Sequence, residues 1–131
     1  MPLHVEVVSP ERILYSGEAE MVVARTTDGE IAFLTGHAPF IGGLGIGMVA
    51  IRLADGGDRV VAAVHGGFVE VSDNRVTVLS DVAELAADID VARAEAARDR
   101  ARQAAGAGAE GDPDAEAALR RASVRLEVAS S

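Results

Sequence analysis

Arginine is the residue type with the most uneven distribution in this chain. The sequence has no lysine, and seven of its twelve arginines fall between residues 93 and 125. Residues three or four apart on a helix are neighbours, so an acid at that spacing can pair with an arginine. Three of the seven have such an acid: Arg98 has Glu95, Arg102 has Asp99, and Arg120 has Glu116. For these three we expect solvated ion pairs on the helix surface.

The other four arginines are not accounted for in this way. Arg100, Arg121 and Arg125 have no acid three or four residues away, and Arg93 has only Asp90, which is also a good N-cap. Arg93 and Arg100 share one helix face, and Arg121 and Arg125 share another. If the two faces meet, the guanidinium groups converge and attract an anion, and a polyphosphate suits their bidentate geometry. If the faces point apart, the arginines meet acids of a partner protein.

The other reactive residue types form no pattern typical of an enzyme. His4, His37 and His65 are far apart with no His-x-His pair, so we expect no metal site. The chain has no cysteine nucleophile and no Gly-x-Ser-x-Gly elbow. The run Gly43–Gly47, in "GGLGIGMV", has neither a lysine nor a following helix, so a strand bulge or crossover explains it better than a phosphate loop. We therefore expect no catalytic residues.

Composition limits the class of partner. The chain has 131 residues, a net charge of −9 and 49% apolar residues, enough for one ordinary domain, or a small domain plus an appendage, with an aliphatic core. An acidic chain is a poor ligand for nucleic acid, because phosphate binding needs a basic surface. The N-terminus lacks the pattern of a signal peptide, and no apolar run approaches a membrane span of about 20 residues. Any membrane association is expected to be through partners.

The first 84 residues have the pattern of an all-β unit. Short runs rich in β-branched residues alternate with Ser-Pro, Asp-Gly, Gly-Gly and Asp-Asn turn signals. "LADGGDRV" and "VEVSDNRV" are typical of tight hairpins. The runs are "LHVEVVS", "RILYSGE", "EMVVART", "EIAFL", "GMVAIRLA", "RVVAAVHG", "GFVEVS" and "RVTVLS". Eight or more strands without an intervening helix predict a β-sandwich, or flattened antiparallel barrel.

The rest of the chain predicts two helices and so a second unit, with domains at 1–86 and 87–131. The first helix runs from Asp88 to Ala105, and the second runs to about Val128 after a Gly-rich break and an Asp112-Pro113 start. Such helices form an antiparallel hairpin. The apolar face of the first helix is expected to be nearly all alanine: Ala92, Ala96, Ala97, Ala101 and Ala104. Alanine methyls stabilise little, at about 0.8 kcal/mol per carbon, so the hairpin should be marginal and able to detach.

Four stretches of the chain resemble the epsilon subunit of the bacterial F-type ATP synthase. They are "VVSPERILYSGEAE", "DGEIAFLTGHAPF", "VHGGFVEVSDNRVTVLSDVAE" and "IDVARA". The resemblance implies the same two-part fold and a non-catalytic role in the central stalk. It also implies that the chain binds the gamma subunit and the c ring, and that the hairpin can rise along gamma toward the alpha and beta subunits and inhibit ATP hydrolysis.

The resemblance also implies an interface with the c ring and gamma around GEI and GHAP. The implied residues are Glu30, Gly36, His37 and Ala38. Glu30 is equally compatible with a solvated strand position, and His37 with a turn. At Ala32 and Thr35 this sequence departs from the glycine and proline that are usual in the family.

In some relatives the folded hairpin binds ATP through a motif of Ile or Leu, Asp, two variable residues, Arg and Ala. Ile89, Asp90, Arg93 and Ala94 match it, and the relatives' further arginines match Arg100, Arg121 and Arg125. These are the arginines without an adequate local acid. The resemblance thus implies a rotor subunit peripheral to the cytoplasmic face of the bacterial membrane, with no required cofactor and ATP as an optional regulatory ligand. A stand-alone nucleotide-binding sensor is the alternative.

Overall fold

The computed structural model describes residues 2–53, 58–106 and 113–131. Seven strands come first: β1 (Leu3–Val8), β2 (Ile13–Thr26), β3 (Gly29–Leu34), β4 (Phe40–Leu53), β5 (Arg59–Ser72), β6 (Arg75–Leu79) and β7 (Ala83–Leu85). A single 3₁₀ turn, Ala86–Asp88, leads to two helices, α1 (Val91–Gly106) and α2 (Pro113–Ala129). None of the helices in the described ranges is long and apolar enough to cross a membrane.

The strands close into a flattened barrel, which confirms the predicted fold class. Their order is β1-β6-β5-β4-β2-β3, and an additional pairing of β1 with β2 closes the circle. All pairs are antiparallel except β1 with β6, which run parallel. Alternating residues of every long strand fill the interior, led by Leu3, Phe33 and Ile51, none of which is exposed. The aliphatic core expected from the composition is therefore present.

Several predicted runs are parts of one longer strand. "RILYSGE" and "EMVVART" both belong to β2, and "RVVAAVHG" and "GFVEVS" both belong to β5, so the count of eight strands was wrong. Gly43–Gly47, interpreted as a bulge or crossover, lies inside β4. Beside it the pairing of β2 with β4 shifts register between Val23 and Thr26. Strand periodicity cannot show that a bent strand continues past glycines.

The bend in β5 changes which residues face the core. Ala62 and Val64 point inward before it, whereas Val69 and Val71 point inward after it. The change of parity occurs at Gly66–Gly67, where both residues have positive φ. A Cβ on Gly67 would overlap the carbonyl oxygen of Leu79, so only glycine fits there without displacement. One strand thus belongs to both layers of the barrel.

The predicted hairpin turns have two different outcomes. In "VEVSDNRV", Asp73 and Asn74 both have positive φ and connect β5 to β6 as a tight turn, which confirms that prediction. In "LADGGDRV", β4 and β5 pair as far as Arg52 with Arg59, but the turn at 54–57 lies outside the described residues. Asp112, predicted to cap the second helix, also lies outside them, whereas α2 begins at Pro113 as expected.

The two helices pack on each other, and α2 packs on the barrel. Val124 and Val128 of α2 lie against Val61 and Ala63 of β5, together with Ile89. We call the outward side chains Ile46, Met48, Val61, Ala63 and His65 the docking face.

The buried face of α1 agrees with the prediction only in part, at Ala101. Ala94 and Ala101 are buried, whereas Ala92, Ala96 and Ala104 are exposed. When a helix has alanine at most positions, the hydrophobicity of its faces differs little, so the sequence does not identify the buried face.

Candidate anion cleft and hairpin-docking face

Helix α1 begins with an aspartate cap. Asp90 accepts a hydrogen bond at Oδ1 from the backbone N–H of Arg93, at 3.0 Å, and its carbonyl accepts the N–H of Ala94. This is the N-cap geometry that satisfies a free donor of the first turn. The cap holds Asp90 and Arg93 at the start of the helix, where both side chains reach the same cleft.

That cleft lies between α1, α2 and β7 and has a volume of about 380 Å³. We call it the anion cleft. Its charged lining consists of three guanidinium groups and three carboxylates: Arg93, Arg100, Arg125, Glu84, Asp88 and Asp90. The antiparallel hairpin thus brings together arginines from both helices. Within the described ranges, Arg93 and Arg100 form no ion pair, so two of the three guanidinium groups are free to bind an anion.

Arg125 is paired, but with the barrel and not with its own helix. Its Nε donates a hydrogen bond to Oε1 of Glu84 at 2.5 Å, and both side chains are about three-quarters buried. Sequence spacing could not find this pair, because the residues are 41 positions apart. The pair joins α2 to β7 at the rim of the anion cleft.

A buried histidine lies next to this ion pair. The His65 side chain is 4% exposed, and its Nε2 lies 3.8 Å from Oε1 of Glu84, too far for a hydrogen bond. Neither ring nitrogen has a hydrogen-bond partner in the described part of the chain. Burial and the positive charge of Arg125 lower the pKa of His65 to about 4; Arg121 adds to the effect and Glu84 opposes it.

Two of the candidate nucleotide residues lie outside the lining of the cleft. Ile89 is buried in the cluster beneath α2, with Val124 and Val128. Arg121 is partly buried on α2, where its charge acts on His65. The structure therefore brings Asp90, Arg93, Arg100 and Arg125 together and places Ile89 and Arg121 on the docking side of the hairpin.

The expected pairs along the helices are largely absent. Arg98 lies 3.5 Å from Asp99, its immediate neighbour, and not beside Glu95. No acid among the described residues lies within ion-pair distance of Arg102 or Arg120. Exposed pairs of this kind contribute little, so side-chain entropy easily outweighs them.

The four candidate interface residues fall at two places. Glu30, near the start of β3, lines a cleft of about 360 Å³ beneath α2, together with Arg25 and Arg120. Gly36, His37 and Ala38 form the loop after β3. There the N–H of Gly36 donates to Oδ1 of Asn74 at 2.7 Å, and the ring of His37 packs edge-on against Phe33. Glu30 and the loop are therefore at opposite ends of β3.

The barrel also carries an exposed apolar row that the sequence analysis did not single out. Phe68 pairs with Leu79, Leu79 with Val8, and Val8 with Ile13, so their outward side chains line up across four strands. Ile41 of β4 extends the row diagonally next to Phe68. Ile13, Phe68 and Ile41 are 59%, 59% and 71% exposed, which is unusual for contiguous large apolar side chains. A parity analysis that allowed for the bend at Gly66–Gly67 could have found Phe68.

Comparison with known proteins identifies the family. Residues 2–86 match the model described as ATP synthase, Delta/Epsilon chain, beta-sandwich domain. The ATP synthase epsilon chain of Streptomyces avermitilis is 50% identical over 129 residues, covering 98% of this chain and 96% of the relative. That of Halalkalibacterium halodurans is 43% identical over 130 residues, covering 97% and 96%.

Two solved structures share the fold. A chain in the Euglena gracilis mitochondrial ATP synthase assembly of OSCP, F1 and c-ring has a TM-score of 0.82 at 22% identity, covering 99% of this chain and 82% of that one. A chain in the Tetrahymena thermophila central stalk and c-ring structure has a TM-score of 0.56 at 13% identity, covering 99% and 95%. The match over residues 2–86 and the identity to full-length relatives show that this chain belongs to the family of ATP synthase epsilon chains.

Proposed function

We propose that this chain is a non-catalytic rotor subunit in the central stalk of a proton-translocating F-type ATP synthase. It couples the gamma subunit to the c ring and regulates ATP hydrolysis through a mobile hairpin. It is peripheral to the cytoplasmic face of the bacterial membrane and reaches the membrane only through the complex. The single observation that carries the regulatory part is the limited contact between hairpin and barrel among the described residues, where α2 packs on a small apolar cluster and forms one ion pair.

The docking contact supports a two-state hairpin. Buried valines contribute about 1.5–3 kcal/mol each, but among the described residues the buried part of this cluster holds only five side chains, namely Val61, Ala63, Ile89, Val124 and Val128. Ordering the helices consumes much of that gain. A small free-energy difference between docked and released states allows a ligand or partner that binds one state to shift the population.

The barrel supplies the surfaces for assembly. The apolar row contains one side chain from each of five strands: Ile13, Val8, Leu79, Phe68 and Ile41. Such a surface suits an apolar surface of a partner protein, and we assign it to the contact with gamma. The loop of Gly36, His37 and Ala38 lies at one end of the barrel and suits the polar loops of the c ring. Glu30 lines the cleft beneath α2, so in this proposal it would contact the c ring beside the hairpin.

ATP is the ligand that we assign to the anion cleft. A volume of about 380 Å³ is within the range of small-molecule sites, and Arg93, Arg100 and Arg125 provide forks for phosphate oxygens. Because these arginines belong to both helices, a bound polyphosphate would hold the hairpin closed. ATP would then favour the docked, non-inhibitory hairpin, and the released hairpin would reach the alpha and beta subunits.

Two measurements test the proposal. Calorimetric titration of the full chain with MgATP should show binding at up to millimolar nucleotide, and no ATP turnover should be detected. In reconstituted synthase, a chain truncated after residue 86 should retain gamma binding and coupling but relieve inhibition of hydrolysis. A truncated chain that folds but does not bind gamma would contradict the assembly role. A lack of MgATP binding would contradict only the ligand assignment.

A further inference from the structure

His65 occupies an unusual place in the docking face. Val61, Ala63 and His65 alternate along β5 before the bend, so all three side chains point away from the core and toward α2. The first two pack against apolar residues of α2. The third meets the charged part of the same helix, Arg125 and Arg121, and the carboxylate of Glu84 on β7. From β4, its cross-strand partner is the uncharged Ile46.

The surroundings of His65 form no hydrogen bond to its neutral imidazole within the described residues and are unfavourable to its protonated form. The imidazole is almost fully buried without a hydrogen-bond partner in the described residues, and a cation there would lie beside two guanidinium groups and only one carboxylate. That carboxylate already accepts a hydrogen bond from Arg125. A protonated His65 would therefore be both poorly solvated and repelled.

We propose that His65 is a proton-responsive contact that releases the hairpin from the barrel when it is protonated. Release uncovers the docking face, so the imidazolium gains water and moves away from Arg121 and Arg125. The inference requires only the docked contact described above and depends neither on nucleotide binding nor on the rotor partners. In the assembled rotor, acid would then favour the hairpin state that we assign to inhibition.

The direction of the pH effect follows from proton linkage. The pKa of His65 is about 4 when the hairpin is docked and returns toward its ordinary value of about 6.5 when the residue is exposed. The released state therefore binds more protons, and docking is strongest above about pH 6.5 and weakens as the pH falls. Between about pH 8 and about pH 5.5 these values weaken docking by about tenfold. The ordinary pKa values of carboxyl groups, about 4, lie below that range, so histidine is the side-chain type whose ordinary pKa falls within it.

Hydrogen–deuterium exchange of the full chain tests this. Once α2 is released it should exchange quickly, because an isolated helix of its length is marginal in water. After correction for intrinsic rates, the protection of α2 amides should be about tenfold lower at about pH 5.5 than at about pH 8, while protection of β6 stays constant. In His65→Gln the α2 protection should not depend on pH. His37→Gln, which alters a histidine in the loop after β3, should respond like the parent.

Each other result overturns the proposal. Constant α2 protection in the parent, or an unchanged response in His65→Gln, removes His65 as the sensor. An equal loss in β6 means that acid opens the barrel and not the hairpin. If His65→Gln changes α2 protection by the same factor relative to the parent at both pH values, the residue contributes only packing. If His65→Gln does not fold, an NMR titration of His65 in the parent decides: a midpoint near pH 6.5 overturns the proposal, and one well below it supports it.

Discussion

The guanidinium of Arg125 on α2 is hydrogen-bonded to the carboxylate of Glu84 on β7, and the two residues are 41 positions apart in the chain. The pair connects the hairpin to the barrel, borders the anion cleft and lies against His65. The docking contact and the proposed anion binding and protonation would therefore involve the same few atoms. Glu84 is consequently the most informative single position for mutation.

Glu84→Gln should weaken docking of the hairpin. It removes a charge-assisted hydrogen bond, and because both side chains are partly exposed we expect a loss of about 1 kcal/mol. The measurement is protection of α2 amides against hydrogen exchange at neutral pH. Glu20→Gln is the matched control, since its carboxylate lies 3.7 Å from Arg52 on an exposed surface and should change protection by less than about 0.3 kcal/mol. Equal effects of the two variants would mean that the Glu84 pair does not hold the hairpin.

Arg100→Ala should weaken MgATP binding, whereas Arg102→Ala should not. Both side chains are exposed on α1, but only Arg100 lines the anion cleft. Loss of one charge-assisted contact is expected to raise the dissociation constant about tenfold, or about 1.4 kcal/mol, in calorimetric titration. If both variants weaken binding equally, the effect comes from net charge and the cleft is not the site.

Asp90→Ala should loosen the first turn of α1. The side chain caps the N–H of Arg93, and loss of an N-cap costs about 1 kcal/mol. Exchange of that amide should accelerate accordingly. Asp90→Ser retains a capping oxygen and should remain close to the parent, which separates capping from the negative charge in the cleft. Equal acceleration in the serine and alanine variants would show that charge, and not the cap, matters.

Gly67→Ala should destabilise the barrel much more than Gly45→Ala. Gly67 has a φ of 114°, and an added Cβ would overlap the carbonyl of Leu79. We expect the free energy of unfolding to fall by about 2 kcal/mol or more, measured by urea denaturation. At Gly45 the nearest atom to an added Cβ is the Thr26 carbonyl oxygen at 3.8 Å, an ordinary contact, so the cost should stay below about 1 kcal/mol. A small effect at Gly67 would show that β5 can bend without glycine.

Local features were predictable from the sequence because their physics is local. The tight turn at Asp73-Asn74, the cap at Asp90 and the helix start at Pro113 depend on a few neighbouring residues. Convergence of Arg93 and Arg100 with Arg125 was one of the two alternatives that helix spacing left open.

Features that depend on tertiary packing were not predictable from spacing. The pairing of Arg125 with Glu84 required the position of α2 on the barrel. The inner face of α1 required knowing which of many alanines α2 covers. The apolar row required the register of β1, β2, β5 and β6, as well as the change of parity at Gly66–Gly67. A pattern of two-residue alternation contains none of this information.

Strand β5 has a mechanical consequence. Its first half carries Val61, Ala63 and His65 beneath the hairpin, and its second half carries Phe68 on the apolar row, with no loop between them. Phe68 and the docking face are therefore connected by one continuous backbone. This strand is hydrogen-bonded to β4 along most of its length, so a force on Phe68 would be transmitted to the docking face. The path bends at the glycine pair 66–67, where both residues have positive φ. The stiffness of the backbone at those two residues would determine how far the docking face moves when a torque acts on the apolar row.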